Sequence, residues 1–301
     1  MRRRSATALA VVAAGGLVAV LGGSLLRHTG SAAPAAAATA AVPAAGPAWP
    51  VTSLHYAVNG NLGNGGRYLP GADGFNLADV SSVGEADALP AGVRALVWVG
   101  SCAGATSTFR ATVDAFAGHP RLFGFYLVDE PYPSSCPAAN LKAESDWVHA
   151  HVPGALTFVV LTNLGSATSP SYLNAYSAAN TDIDLAGLDA YPVRSELPEP
   201  DYREIVLRVA AAEAAGWPLV SLVPVYQAFG GGSEKDDAGG HWVLPTVEQE
   251  RHLLADWGAA LPHPVFDYAY SWGSQSGDIG LDGSLALRSV FQEKNAASAR
   301  P

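Results

Sequence analysis

The sequence predicts an α/β fold, a single (β/α)8 (TIM) barrel, on three observations. Eight short apolar runs of strand length recur along the chain, and segments of helical periodicity separate most of them. With residues 1–45 set aside, 256 remain, close to the roughly 250 of a typical barrel. An open doubly wound sheet is the alternative for the same alternation. It is disfavoured because "NGNLGNGG" and "FGGGSEK" have the glycines of a phosphate-cradling loop without its spacing.

The strands are expected over residues 53–58, 74–80, 94–101, 122–129, 156–162, 183–191, 218–227 and 266–272. Between them "STFRATVDAFAGHP", "PAANLKAESDWVHAHVPG", "DYREIVLRVAAAEAAGW" and "TVEQERHLLADWGAALP" carry amphipathic helical spacing. Thr246 with Gln249 makes a capping box, and Gly154 and Gly216 suit helix C-caps. "NGNLGNGGRYLPGAD" reads only as loop, so the first helical connections are weak or missing.

The N-terminal segment stands apart. Arg2, Arg3 and Arg4 precede an uncharged run over residues 5–26, and a low-complexity Ala/Pro stretch follows. A basic start, an apolar middle and small residues describe an export signal. Twenty-two residues is also long enough for an uncleaved transmembrane anchor, with the domain still outside the cytoplasm. The expected organisation is a signal peptide or anchor over 1–30, a linker over 31–50, the barrel over 51–295 and a tail over 296–301. Beyond residue 45 the chain holds 13 basic against 27 acidic residues, a net charge of −14. Such a surface repels nucleic acid and anionic lipid and suits neutral or cationic partners. A secreted, or membrane-tethered, monomer is expected. No spacing resembles a zinc or calcium site, no Gly-x-Ser-x-Gly elbow occurs, and no cofactor is called for.

Reactive residues of a barrel collect at the carboxyl ends of its strands. Here strand two ends in "FNLADVSS" with Asp79, strand four in "YLVDEPY" and strand five in Thr162 and Asn163. Strand six ends in "GLDAYPV", strand seven in "VPVYQAFGGG" and strand eight in "AYSWGSQ". Asp129, Glu130, Asn163, Asp189, Tyr191, Gln227 and Trp272 are thereby expected on one rim. Adjacent carboxylates repel and raise one another's pKa, so a buried strand closing on Asp129-Glu130 needs a reason. Successive side chains on a strand face opposite ways; both acids reach the mouth only if the strand breaks at Glu130, which Pro131 favours. Tyr268 and Tyr270 share Trp272's face but lie deeper and read as core. Structural alternatives stand beside these roles: a helix cap for the acid pair, turn amides before Pro192 for Asp189, core packing for Tyr191 and Trp272. Cys102 and Cys136 follow adjacent strands on the same rim and are expected to pair in an oxidising compartment.

These motifs resemble the (β/α)8 glycoside hydrolases of the large clan whose acid/base Glu closes strand four. The usual signature there is Asn-Glu-Pro; here it is Asp129-Glu130-Pro131. "LDAYP" and Trp272 are similar to that clan's sugar-binding rim, and the likeness spans residues 53–293. It implies a glycosidase acting on an extracellular polysaccharide or glycan, with Glu130 as proton donor and Asp129 or Asp189 assisting. Asn163 and Gln227 would bind hydroxyls, and Tyr191 and Trp272 would stack on sugar. One departure matters: the clan's nucleophilic Glu at the end of strand seven is Gln227 here, and an amide cannot attack an anomeric carbon. Three readings remain. Glu130 acts with a carboxylate about 6.5–9.5 Å away in an inverting reaction, Asp189 first and Asp79, Glu234, Asp236 or Asp237 behind it. Or the substrate supplies its own acetamido nucleophile, as in chitinase-like barrels. Or the barrel binds sugar and cleaves nothing.

Overall fold

The computed structural model describes residues 49–172, 175–235 and 239–298. Its elements run β1 (His55–Ala57), β2 (Leu77–Val80), α1 (Val83–Ala88), β3 (Arg94–Trp98), α2 (Ser107–Ala115), β4 (Leu122–Asp129), α3 (Ala138–His151) and β5 (Leu156–Leu161). Then come α4 (Ala178–Thr181), β6 (Leu185–Asp189), α5 (Arg203–Ala214), β7 (Leu222–Gln227), α6 (Val247–Ala260), β8 (Asp267–Tyr270) and α7 (Leu285–Ser298). Every strand pairs in parallel with the next, and β8 returns to β1 with Asp267 opposite His55, closing the barrel. As expected, no helix follows β1; two short 3-10 turns fill that connection. Thr246 and Gln249 form the capping box, and Gly154 and Gly216 take the left-handed conformation that ends α3 and α5.

Alternation along each strand sorts the core into two shells. Tyr56, Leu96, Phe123, Tyr126, Phe158, Val223, Phe266 and Tyr268 pack within the barrel. Phe125, Leu127, Val159, Leu188, Tyr226 and Ala269 pack outward with the helices, joined by Trp217, Leu254 and Trp257. The pattern slips twice on β4: between inner Phe123 and outer Phe125, where the register shifts against β3, and between Leu127 and Val128, both outward, where it shifts against β5. A bulge of this kind re-aims the side chains beyond it.

Several expected boundaries move. Residues Leu219–Ser221 form a 3-10 turn rather than the start of β7, and β8 stops at Tyr270. Helix α7 runs on to Ser298, through part of the stretch read as a tail. The short α4, capped by the Ser177 hydroxyl on the Asn180 N–H, was not anticipated. The transmembrane expectation is corrected: among the described residues no helix is long and apolar enough to cross a membrane. The run over residues 5–26 lies outside them, as does the linker up to residue 48.

Beneath the barrel, at the amino ends of β1 and β8 and opposite the mouth, sits a buried ionic trio. Asp267 accepts from His55 Nδ1 at 3.0 Å and from the Lys294 ammonium, and all three side chains are buried. Burial by itself would raise the Asp267 carboxyl; His55 and Lys294 reverse that and hold it below its ordinary range. The trio ties β1 and β8, where the barrel closes, to α7.

Candidate active site

Strand β4 stops at Asp129, and Glu130 adopts a left-handed backbone at φ 44° before Pro131. The break expected from the sequence is therefore present. A non-glycine residue in that region is strained and marks a candidate functional position. The Glu130 N–H still donates to the Val160 carbonyl at 3.1 Å, so the turn stays pinned to β5 while its side chain is exposed. Asp129 is held differently: the buried Tyr126 hydroxyl donates to its Oδ1 at 2.6 Å, and the Trp98 ring stands edge-on to Tyr126 at 4.8 Å.

Asp189, at the end of β6, completes an acidic trio. Burial, then Glu130, then Asp129 push its carboxyl well above the usual carboxylate range, and Arg208 only partly offsets them. Its Oδ1 has no hydrogen-bond partner among the described residues. Burial first, and then Asp79, the acid on β2, raise the Tyr56 hydroxyl inside the barrel. Among the described residues no group of three or more acids, histidines or cysteines is arranged to hold a metal ion.

The aromatic wall lies beside Asp189. Tyr191 stacks with Tyr270 at 6.0 Å and 27°, and Phe229 meets both rings edge-on at 5.1 and 5.0 Å. Trp242, from the segment after β7, adds an edge-on contact to Tyr191 at 6.2 Å. The Tyr270 hydroxyl and the Asn59 amide both donate to Gln275 Oε1, at 2.6 and 2.9 Å. Sequence reasoning missed Trp242, Asn59 and Gln275 and placed Tyr270 in the core. It is instead half-buried at the mouth, one step above the buried Tyr268.

Three expected site residues are engaged elsewhere. Trp272 is 3% exposed and packs outside the barrel, with Phe75 edge-on at 6.3 Å and Arg288 over its ring at 5.2 Å. Strand alternation fails to carry it to the mouth because β8 has already ended. Gln227 is fully buried and spends its amide on backbone: Oε1 accepts from Val193 N at 2.9 Å, and Nε2 donates to Val193 O and Val243 O at 2.8 and 3.2 Å. It clamps the segments after β6 and β7 that bear Tyr191 and Trp242. Asn163 Oδ1 accepts from Gly165 N and Ser171 N, each at 3.1 Å, shaping its own loop. Asp236 and Asp237 lie outside the described residues. Gln227→Glu sets a carboxylate against two carbonyls, so it is expected to lower unfolding free energy by about 2–3 kcal/mol in urea titration rather than create a nucleophile.

Cys102 and Cys136 form the expected disulfide, 34 residues apart in sequence. It joins the loop after β3 to the loop that comes after Glu130. Below it the buried Glu144 accepts from Gly104 N at 3.0 Å, and burial pushes its carboxyl up to about 7.

No protein-family model matches the chain, and no curated protein matches it in sequence. Solved structures do match its fold. A GH5_18 variant from Streptomyces cattleya, solved in complex with Manb1-4GlcNAc, has TM-score 0.50 and 13% identity, covering 84% of this chain and 82% of that one. The chitinase-like agglutinin RobpsCRA of Robinia pseudoacacia gives 0.49 and 14%, covering 80% and 98%. The GH18 chitinase ChiB of Flavobacterium johnsoniae gives 0.48 and 10%, covering 76% and 91%. What the chain shares with the GH5_18 structure is the fold, here a closed barrel of eight parallel strands. Identities this low speak to architecture and leave chemistry to the site itself.

Proposed function

We propose that this chain is an exported glycoside hydrolase acting on an extracellular polysaccharide or glycan. The observation that carries the reading is the trio Asp129, Glu130 and Asp189 at the mouth, with Asp189 pushed upward by burial and by the other two, beside the Tyr191–Tyr270 stack. A proton donor is favoured by a carboxyl raised above its ordinary range, and burial with two neighbouring acids raises Asp189. We therefore give Asp189 the donor's role and exposed Glu130 the base's, exchanging the roles read from the sequence. Asp189 delivers its proton to the glycosidic oxygen as the C1–O bond breaks. Glu130 takes a proton from the water whose oxygen bonds to C1 from the opposite face. That is an inverting hydrolysis, and it needs no carboxylate on β7, where Gln227 is committed to backbone. The acids at the mouth disfavour anionic sugars, leaving neutral or cationic glycans as substrates. The N-terminal sequence and the disulfide support export.

A second reading, a barrel that binds glycan without cleaving it, draws on the same Gln227. Product analysis separates them. NMR of a digest of neutral and amino-sugar polysaccharides should show new reducing ends appearing first as the inverted anomer. Retention of the anomer would remove the inverting scheme, and the absence of new reducing ends would favour the binding barrel.

A further inference from the structure

The half-buried rings that cap the inner shell at the mouth stand in two places. Tyr191 and Tyr270, stacked on one another, form the first, and Trp98, the last residue of β3, is the second. Each packs on the inner shell and keeps part of its ring in water. In a closed ring of eight strands β3 lies opposite β7, the strand between those that lead to Tyr191 and Tyr270. Trp98 therefore stands across the mouth from the stack. Strands β4 and β6, which end in Asp129 and Asp189, lie between β3 and that side. Trp98 is held in place. Tyr126, whose hydroxyl donates to Asp129, meets its ring edge-on at 4.8 Å. The indole also lies along the backbone of Gly100, where an added Cβ would come 2.6 Å from Nε1. A left-handed φ of 66° at that position suits glycine for a second reason. Tyr132, two residues beyond Glu130, is 52% exposed, and its carbonyl accepts from Ser135 N and Cys136 N at 3.0 and 2.8 Å. A lone exposed ring needs no explanation. This one sits on a fixed turn, and the Cys102–Cys136 disulfide joins that turn to the segment that follows Trp98.

We infer that Trp98, supported by Tyr132 on the cross-linked loop, is a second stacking platform, and that the substrate is a glycan chain gripped on both sides of the bond to be cut. The cut itself rests on the hydrolase reading above; the grip does not. A pyranose lays its C–H face on an aromatic ring and turns its hydroxyls to the polar groups beside it, and a ring already held by the protein loses little freedom in receiving it. One sugar rests on the Tyr191–Tyr270 stack and another on Trp98, which brings the bond between them to Asp129, Glu130 and Asp189. A site that trims single sugars from a chain end needs only one platform. Two platforms on opposite sides of the acids select a chain and place the cut within it. The disulfide then has a task at the mouth: it fixes the segment after Trp98 against the turn that bears Tyr132.

Calorimetric titration of the whole protein, carrying Glu130→Gln so that nothing is consumed, tests the grip with cello-, manno-, chito- and chitosan oligosaccharides of one to six units. The series that binds should gain about tenfold in affinity between one unit and four, as the chain reaches the second ring. Trp98→Ala on that background should lose the gain and keep the monosaccharide's affinity, and Trp98→Phe, which retains a ring, should recover most of it. Tyr132→Ala should lose part of the gain without moving the thermal midpoint, since its ring is exposed. Early products of the native chain should be fragments of two or more units. Binding by none of the series, affinity independent of length, a length gain untouched by Trp98→Ala and Tyr132→Ala, or release of single sugars from the chain end would each overturn the second platform. Length-dependent binding that Trp98→Ala abolishes, without new reducing ends, would keep the platform and remove the hydrolysis. New reducing ends released by Trp98→Ala as by the native chain would do the reverse.

Discussion

Asp189→Asn is expected to lower kcat on a glycan substrate by about 10³-fold while leaving the fold intact, because it removes the carboxyl proposed to protonate the leaving oxygen. The pH dependence should change with it. In the native chain, activity should fall as pH rises through the Asp189 value and the proposed donor loses its proton. In the asparagine variant that alkaline limb should vanish from what activity remains. Stability should change over the same range. Asp189 is raised above its unfolded value of about 3.9, so its contribution to stability is fully present below that value and is lost as pH rises through the folded one. The amide does not ionise, so Asp189→Asn should be relatively more stable than the native chain on the alkaline side. A kcat within tenfold of native would remove Asp189 from the mechanism. Loss of activity together with loss of the fold would be excluded by the same denaturation series.

Lys294→Met is expected to cost about 3–5 kcal/mol of unfolding free energy, because it strands Asp267 as a buried carboxylate with His55 as its remaining partner. The native Asp267 lies below its ordinary range, so its stabilising contribution is present above pH about 4 and lost as pH falls through the folded value. Without the ammonium that loss should begin at higher pH. Chemical denaturation across pH 3 to 7 measures both effects, and pairing the variant with Asp267→Asn should recover part of the cost. A penalty below 1 kcal/mol would mean that the trio is not the clamp that ties α7 to the closing strands.

The eight strands were legible because a barrel buries both faces of its sheet, and each strand then reads as a short apolar run. Their carboxyl ends were legible too, since apolar residues give way there to Asp129, Glu130, Asp189 and Tyr191. The starts were less so: leading apolar residues such as Leu219 serve equally well in a 3-10 turn before β7. Beyond the last paired residue, alternation stops predicting direction, which is why Trp272 and Tyr270 exchanged places. Gln227 was read as a polar group in need of partners, and it has them; that they are backbone groups of Val193 and Val243 depends on loops meeting in space. Trp242 reaches Tyr191 by the same route. The ionic trio was invisible in sequence, since His55 lies 212 residues from Asp267 and 239 from Lys294.

The most direct measurement is reducing-end release from neutral and amino-sugar polysaccharides by the native chain and by Glu130→Gln side by side, with binding followed in parallel. Release by the native chain alone, with both proteins still binding the glycan, is the predicted result. Equal release by both, or release by neither, would contradict the assignment of hydrolysis to this rim.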